Sequence, residues 1–267
     1  MTHQKICLIN QPAGIGDILY TLQIAFVYSS RNYKVIWPII KEYLWIREYI
    51  QTPSITFVND EEDYPMKNLF RERYPEVLHM DNGNLYLPLS RSTINTIGEN
   101  FPLMLSKYAM LGLQKLSRNW PFFIHLSRKE EQERIVLNYY NISHHNEYIF
   151  CNSLIGSPDG HLQALPEMTF AIEKITSSAQ FRIINNEFIP DTTLFDLIPI
   201  LTNAIEVHLP NSALCWLIEY LAQNNLCRPD QKRYCYPRDK QNPINNNYKY
   251  MKGCWDESNW FFVRPSG

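Results

Sequence analysis

Short apolar runs alternate with stretches of helical spacing along this chain, and that alternation confines it to few folds. Residues 5–10 read as a buried strand. The spacing of Leu22, Ala25 and Phe26 predicts a helix over 18–30. Strands follow at 33–38 and 55–59, with a second helix at 41–50 between them. Such strand–helix–strand–helix–strand order implies an α/β fold with a parallel sheet. Asp81–Asn84 marks a turn, 86–88 a short strand and 101–112 a helix. The charged stretch 128–146 reads as a helix running into a linker.

A second α/β series starts after His144-His145-Asn146. Strands are expected at 148–152, 181–185 and 205–209, and helices at 166–177, 194–202 and 211–222. Pro166 suits a first helical turn, where its missing N–H costs nothing, whereas Pro199 inside 194–202 predicts a shortened or kinked helix. The domains are therefore read as 1–145 and 146–267, with 228–267 a polar, aromatic tail of little periodicity. With 267 residues, 45% of them hydrophobic, the chain can bury substantial cores.

Charge narrows the function classes. Lys and Arg number 25 against 27 Asp and Glu, a balance that argues against a broad basic face for nucleic acid. The six cysteines form no CxxC pair and are too sparse for a disulfide scaffold, so free buried thiols in a reducing compartment are expected. The apolar run after Lys5 is too short for a signal-peptide core, and no stretch has the length of a membrane span. A cytoplasmic location is the expectation, with no transmembrane segment and peripheral membrane association left open.

Three segments carry candidate chemistry. In Gly14-Ile15-Gly16-Asp17, between a strand and a helix, glycines allow close backbone approach and Asp17 falls in the first helical turn. The segment is neither a GxGxxG fingerprint nor a P-loop, and a helix-capping Asp after a glycine turn is the plain alternative. In Pro210-Asn211-Ser212-Ala213, Asn211 reads as an N-cap whose following amides could hold a phosphate. The alternative there is a capped core helix, with Leu214, Leu217, Ile218 and Leu221 as its core positions. Ser153 opens the third segment, which ends in the turn sequence Ser157-Pro158-Asp159-Gly160.

With the hydrophobic residues that follow it, Gly14-Ile15-Gly16-Asp17 resembles the opening of GT-B glycosyltransferases of the heptosyltransferase type, glycosyltransferase family 9-like. Leu165-Pro166-Glu167 is similar to the family's W-P-x-E segment, and 194–221 to its helix–strand–helix segment. The resemblance implies two Rossmann-like domains facing a cleft, acceptor side first and nucleotide-sugar side second, with the tail folding back on the first domain through Trp255 and Trp260. It implies metal-independent, inverting transfer of a sugar from a nucleotide sugar to a hydroxyl of a glycan or glycoconjugate, with no cofactor. Asp17 maps onto the general base. Gly14, Gly16, Ser153, Asn211, Ser212 and Ala213 map onto the donor-binding loops. Gln163 stands where the family commonly has Lys, Leu165 where it has Trp, and Asn211 where it has Asp. Phosphate neutralisation is then expected from Arg182, Arg228 or Lys232. The same departures motivate the alternative, a non-catalytic nucleotide-sugar or glycan binder.

Other patterns are weaker. Asp60-Glu61-Glu62-Asp63 lacks Asp-x-Asp spacing and reads as a solvated loop. His144-His145 with Cys151 lacks zinc-ligand spacing, and no GxSxG elbow is present. His161, Glu187 and His208 are further candidates near the proposed ligand loops, although a lone histidine is more often structural.

Overall fold

Lys5–Asn10 forms β1 and is followed by a helix, α1, over Ile15–Ser30; the chain then returns as β2, Tyr33–Ile39. The computed structural model describes residues 4–50, 52–90, 103–143, 147–156, 162–164, 168, 171–173, 175–176, 180–236 and 254–263. With β3 (Ile55–Asn59), β4 (Leu78–His79) and β5 (Leu85–Pro88), the first sheet has the order β3-β2-β1-β5-β4. All neighbours in it are parallel except β4, which runs antiparallel to β5. Strand β4 was not expected, because two residues carry no periodicity.

α1 is buried along most of its length, from Ile15 to Ala25. It packs against β2 and against a 3₁₀ turn at Trp120–Phe123. A helix enclosed on all sides loses the polar face that a surface helix keeps. One face of the sheet carries Leu8, Ile36, Tyr86 and Leu69, the last from the short helix α2, Lys67–Glu72. Residues 41–48, expected as an α-helix, form a 3₁₀ helix with only Ile46 buried. Its few apolar contacts do not reward a longer regular helix. The helix expected at 101–112 is described over Leu103–Ala109, here α3.

The second sheet is built from β6 (Tyr148–Cys151), β9 (Arg182–Asn185), β10 (Glu206–Pro210), β11 (Lys232–Tyr236) and β12 (Trp260–Phe262). Its order is β12-β11-β10-β6-β9, all parallel. The tail therefore supplies two strands, β11 and β12, that its polar composition concealed. β7 (Leu154–Gly156) and β8 (Leu162–Ala164) pair as a separate antiparallel ribbon. α4 spans Glu130–Tyr139, α5 Ile198–Asn203 and α6 Ala213–Gln223. Pro199 does not kink a helix. It stands in the first turn of α5, after a 3₁₀ turn capped by Thr193 and Asp196, where its missing N–H is tolerated.

The chain divides into two compact units, Met1–Ser127 with Tyr250–Cys254, and Arg128–Lys249 with Trp255–Gly267. The division precedes the 145/146 boundary read from sequence, because α4 packs on α5 and on the 3₁₀ turn before it and so belongs to the second unit. The tail joins the first unit through Cys254, whose carbonyl accepts from Trp120 Nε1 at 2.9 Å and whose thiol donates to the Tyr20 hydroxyl at 3.0 Å. Trp255 and Trp260 stack on each other in the second unit, and Trp255 also meets Trp216 edge-on. There the buried Glu219 carboxylate accepts from Trp260 Nε1 and from the Asp256 N–H, each at 2.8 Å. All six cysteines are free, and five are buried.

Candidate functional site

In the first sheet the strand order reverses at β1. The connection through α1 leads one way to β2, while β5 lies on the other side. Open parallel sheets bind ligands beyond the carboxyl ends of strands at such a reversal. There β1 ends at Asn10, and the chain turns through Gln11–Gly14 into α1. Gly14 is the N-cap, with φ of 85°, a conformation that L side chains rarely adopt. A Cβ at Gly14 would lie 2.8 Å from Asp17 Oδ2. Asp17 is thus not the cap; it stands in the first turn of α1, where the helix dipole favours its charge. Gly16 is buried beside it.

The Asp17 side chain is 34% exposed, and its Oδ1 accepts from Lys107 Nζ at 2.5 Å. Lys107 comes from α3 and is completely buried. It also donates to Gln11 Oε1 at 2.5 Å. Gln11 is itself held, its Nε2 donating to Ala13 O at 2.5 Å and its carbonyl accepting from Trp37 Nε1 at 2.9 Å. Burial pushes the Lys107 ammonium below its ordinary range, and Asp17 opposes that shift. Asp17 Oδ2 accepts no hydrogen bond from the described residues. Asp17 is a candidate from sequence, whereas Lys107 and Gln11, which hydrogen-bond around it, are not. A lysine within a short helical pattern reads as a solvated side chain, and nothing local marks it as buried.

The second sheet reverses between β6 and β10. Beyond their carboxyl ends lie Ser153 and Asn211–Ala213, so the reversal brings these expected donor-loop residues to one sheet edge. Ser153 is buried. Asn211 is not the N-cap of α6: its N–H donates to Tyr236 O at 3.0 Å, and Ser212 takes the capping position. Ser212 makes no side-chain capping bond, and its buried Oγ has no hydrogen-bond partner among the described residues. The N–H groups of Ser212, Ala213 and Leu214 precede the first bond of the helix, Cys215 N–H to Ser212 O, and have no backbone partner among the described residues. The sequence reading also passed over Asn152. Its Nδ2 donates to Leu154 O at 2.7 Å, and its Oδ1 accepts from Asn186 Nδ2 at 2.8 Å, which fixes the start of the Ser153 loop. Leu214, Leu217, Ile218 and Leu221 are buried, as core positions of α6 should be.

The remaining candidates are elsewhere or engaged. Arg182 and Lys232 begin β9 and β11, and Arg228 precedes β11, so all three lie at the opposite edge of the sheet from Ser212. A strand of four or five residues separates the edges by roughly 13–17 Å. Arg182 donates to Tyr140 O and Asn141 O, Arg228 to Asp230, and Lys232 to Glu206. None of the three is placed to neutralise a phosphate at the Ser212 end. Glu187 is exposed beyond β9, and its carboxylate accepts from the Tyr139 hydroxyl at 2.6 Å. His161 lies outside the described residues.

His208 is buried within β10 and stacks on Tyr234, ring centroids 4.3 Å apart. Its Nδ1 meets the Tyr236 hydroxyl at 2.8 Å and its Nε2 meets Glu206 Oε2 at 3.2 Å. Both ring nitrogens are thus engaged within the second sheet. Burial lowers its pKa below the ordinary 6.5, against the pull of Glu206. Below pH 6.5 the unfolded chain then binds the proton that the native state refuses, so stability falls as pH drops from 6.5 through the interval down to the native value. The slope is at most about 1.4 kcal/mol per pH unit. Urea melts of His208→Phe, which keeps a stacking ring, are expected to lack this component. A wild-type slope in the variant would refute it.

No group of three or more His, Cys, Asp or Glu residues that could hold a metal ion is found among the described residues. Nor is any described helix long and apolar enough to cross a membrane. No protein-family model and no curated protein sequence matches the chain. Solved structures do. A glycosyl transferase family 9 protein from Veillonella parvula is 8% identical, with 97% of this chain and 85% of that chain covered at a TM-score of 0.50. The iron-containing dodecameric glycosyltransferase TibC of enterotoxigenic E. coli is 10% identical, over 87% of this chain and 58% of that one, at a TM-score of 0.46. The ADP-heptose lps heptosyltransferase II of E. coli is 10% identical, over 98% and 91%, at a TM-score of 0.46. The likeness to the Veillonella structure establishes a shared fold across nearly the whole chain.

Proposed function

We propose that the protein is a glycosyltransferase that moves a sugar from a nucleotide-sugar donor to a hydroxyl of a glycan or glycoconjugate, with Asp17 as general base. The observation that carries this reading is the Asp17 carboxylate itself. It lies beyond the end of β1 where the strand order reverses, one third exposed, with Oδ2 unbonded among the described residues. The shared fold with a glycosyl transferase family 9 structure supports it.

In the proposed reaction the acceptor oxygen attacks the anomeric carbon as its proton passes to Asp17. The new C–O bond forms on the face opposite the leaving group, so the configuration inverts. The bond from the anomeric carbon to the phosphate oxygen breaks, and the nucleoside diphosphate departs with its electron pair. The Ser212–Leu214 amides and the dipole of α6 suit a diphosphate. Gly14 gives the base its place, and Ser153 borders the diphosphate loop. No metal is invoked, so transfer is expected to survive EDTA.

A thermal-shift screen with UDP, GDP, ADP, CMP and dTDP, each with and without a sugar, tests the donor half. A nucleotide held at about a hundred times its Kd adds about 2.7 kcal/mol of stability, which raises Tm by several degrees. Ala213→Asp, which sets a negative charge at the α6 N-terminus, should abolish that shift. Failure of every nucleotide to bind would overturn the donor site. A second reading, a nucleotide-sugar or glycan binder without turnover, is favoured by one observation: the Asn211 N–H is already bonded to Tyr236 O, leaving one amide fewer for phosphate. Turnover of any donor eliminates it.

A further inference from the structure

We propose that Lys107 is a positioning residue for the reaction, anchoring the Asp17 carboxylate through Oδ1 so that Oδ2 is the atom that receives the acceptor's proton. The inference rests on the base assignment above and extends it to a residue far away in sequence.

Lys107 is placed by Tyr108, its neighbour on α3. The Tyr108 hydroxyl donates to Tyr20 O at 2.7 Å, less than one turn beyond Asp17 on α1, and its ring packs edge-on against Tyr20 at 4.9 Å. That contact docks α3 on α1 and brings the Lys107 ammonium to Asp17 Oδ1, across 90 residues of sequence.

Packing alone does not call for a lysine here. Its neighbours Met104, Ser106 and Tyr108 are buried, so an apolar side chain would fill the place of Lys107 without the cost of desolvating a cation. A fully buried ammonium with one carboxylate partner, at the carboxyl edge of a parallel sheet, is the arrangement expected where charge is kept for chemistry. Two acceptors hold it, Asp17 Oδ1 and Gln11 Oε1, and the bond from Gln11 to Ala13 keeps the second acceptor in place. With Oδ1 committed and Gly14 bare of a Cβ beside Oδ2, the carboxylate presents one oxygen, in one orientation.

Two measurements without substrate test the anchoring. The Asp17 side-chain couplings, read by NMR, are expected to report a single χ1 rotamer in the wild type and averaging over rotamers in Lys107→Met. In the wild-type background, Asp17→Asn is expected to move the titration of the Lys107 ε-carbon further down, because the carboxylate that opposes desolvation is gone. This second reading uses the native lysine and decides the matter if Lys107→Met does not fold. A single Asp17 rotamer in Lys107→Met, or a Lys107 titration indifferent to Asp17→Asn, overturns the proposal. Once the nucleotide screen has identified a donor and transfer assays with that donor an acceptor, Lys107→Met should lower kcat at least tenfold with donor KM unchanged. A rise in KM alone would make Lys107 a merely structural residue. Transfer that is insensitive to Asp17→Asn would instead overturn the base assignment, a result separable from the two NMR readings.

Discussion

Asp17→Asn is expected to reduce glycosyl transfer by about 10²–10⁴-fold, the range that a positioned base contributes. Asparagine keeps the size of the side chain and an oxygen for Lys107, but its amide cannot take a proton from the acceptor hydroxyl. The proposed nucleotide site is the Ser212–Leu214 end of the second unit, so the thermal shift with the preferred nucleotide should be unchanged. The stability cost should reach a few kcal/mol, up to about 3–5, because the change leaves the fully buried Lys107 ammonium without its carboxylate. Initial rates and nucleotide-dependent melting of the same preparation separate the two effects. Near wild-type transfer with intact nucleotide binding would remove Asp17 from the mechanism.

The second large effect is expected at Gly14. Gly14→Ala asks an L residue to hold φ near 85°, and it brings a Cβ to 2.8 Å from Asp17 Oδ2. The backbone term alone costs about 1–3 kcal/mol. The close contact cannot be relieved by the backbone of α1, which is buried on most sides, so the carboxylate must move. Lys107 holds the other oxygen, and the movement therefore breaks or bends that bond. A shift of about 1 Å in a reacting group can cost on the order of 10²-fold in rate. Gly14→Ala should thus lose both stability and transfer, with Tm lower by several degrees, while the nucleotide-induced shift survives. A variant that melts normally and turns over normally would show that the turn before α1 tolerates a side chain and that Asp17 has room to spare.

The two predictions differ in what they probe. Asp17→Asn removes the proposed proton acceptor and leaves the turn before α1 intact. Gly14→Ala leaves the acceptor and disturbs the frame. Comparison of kcat across the pair, each variant assayed well below its own Tm, distinguishes chemistry from placement.

Local pattern in the sequence determined a good deal. The strands at 5–10, 33–38, 55–59 and 148–152 rest on short, largely apolar runs bounded by turn residues, and α1 and α6 rest on helical spacing. Asp17 was legible as a candidate because a glycine pair, a carboxylate and the start of a helix lie next to one another. So were Ser153 and Asn211–Ala213, since each follows a strand directly. Tertiary structure alone decided the rest. The order of strands settles where a sheet reverses, and no local pattern encodes it. Lys107 reaches Asp17 only because α3 returns to α1, and a single lysine looks the same in sequence whether buried or solvated. Arg182, Arg228 and Lys232 looked suitable by charge and were excluded by the edge of the sheet on which they lie. The tail strands β11 and β12 have no alternation to announce them; they exist because neighbouring strands offer unpaired backbone groups that they satisfy. Spacing along the chain fixes what one residue does within a turn or two, whereas burial, pairing and which end of a strand faces a ligand depend on segments that meet only after the chain has folded.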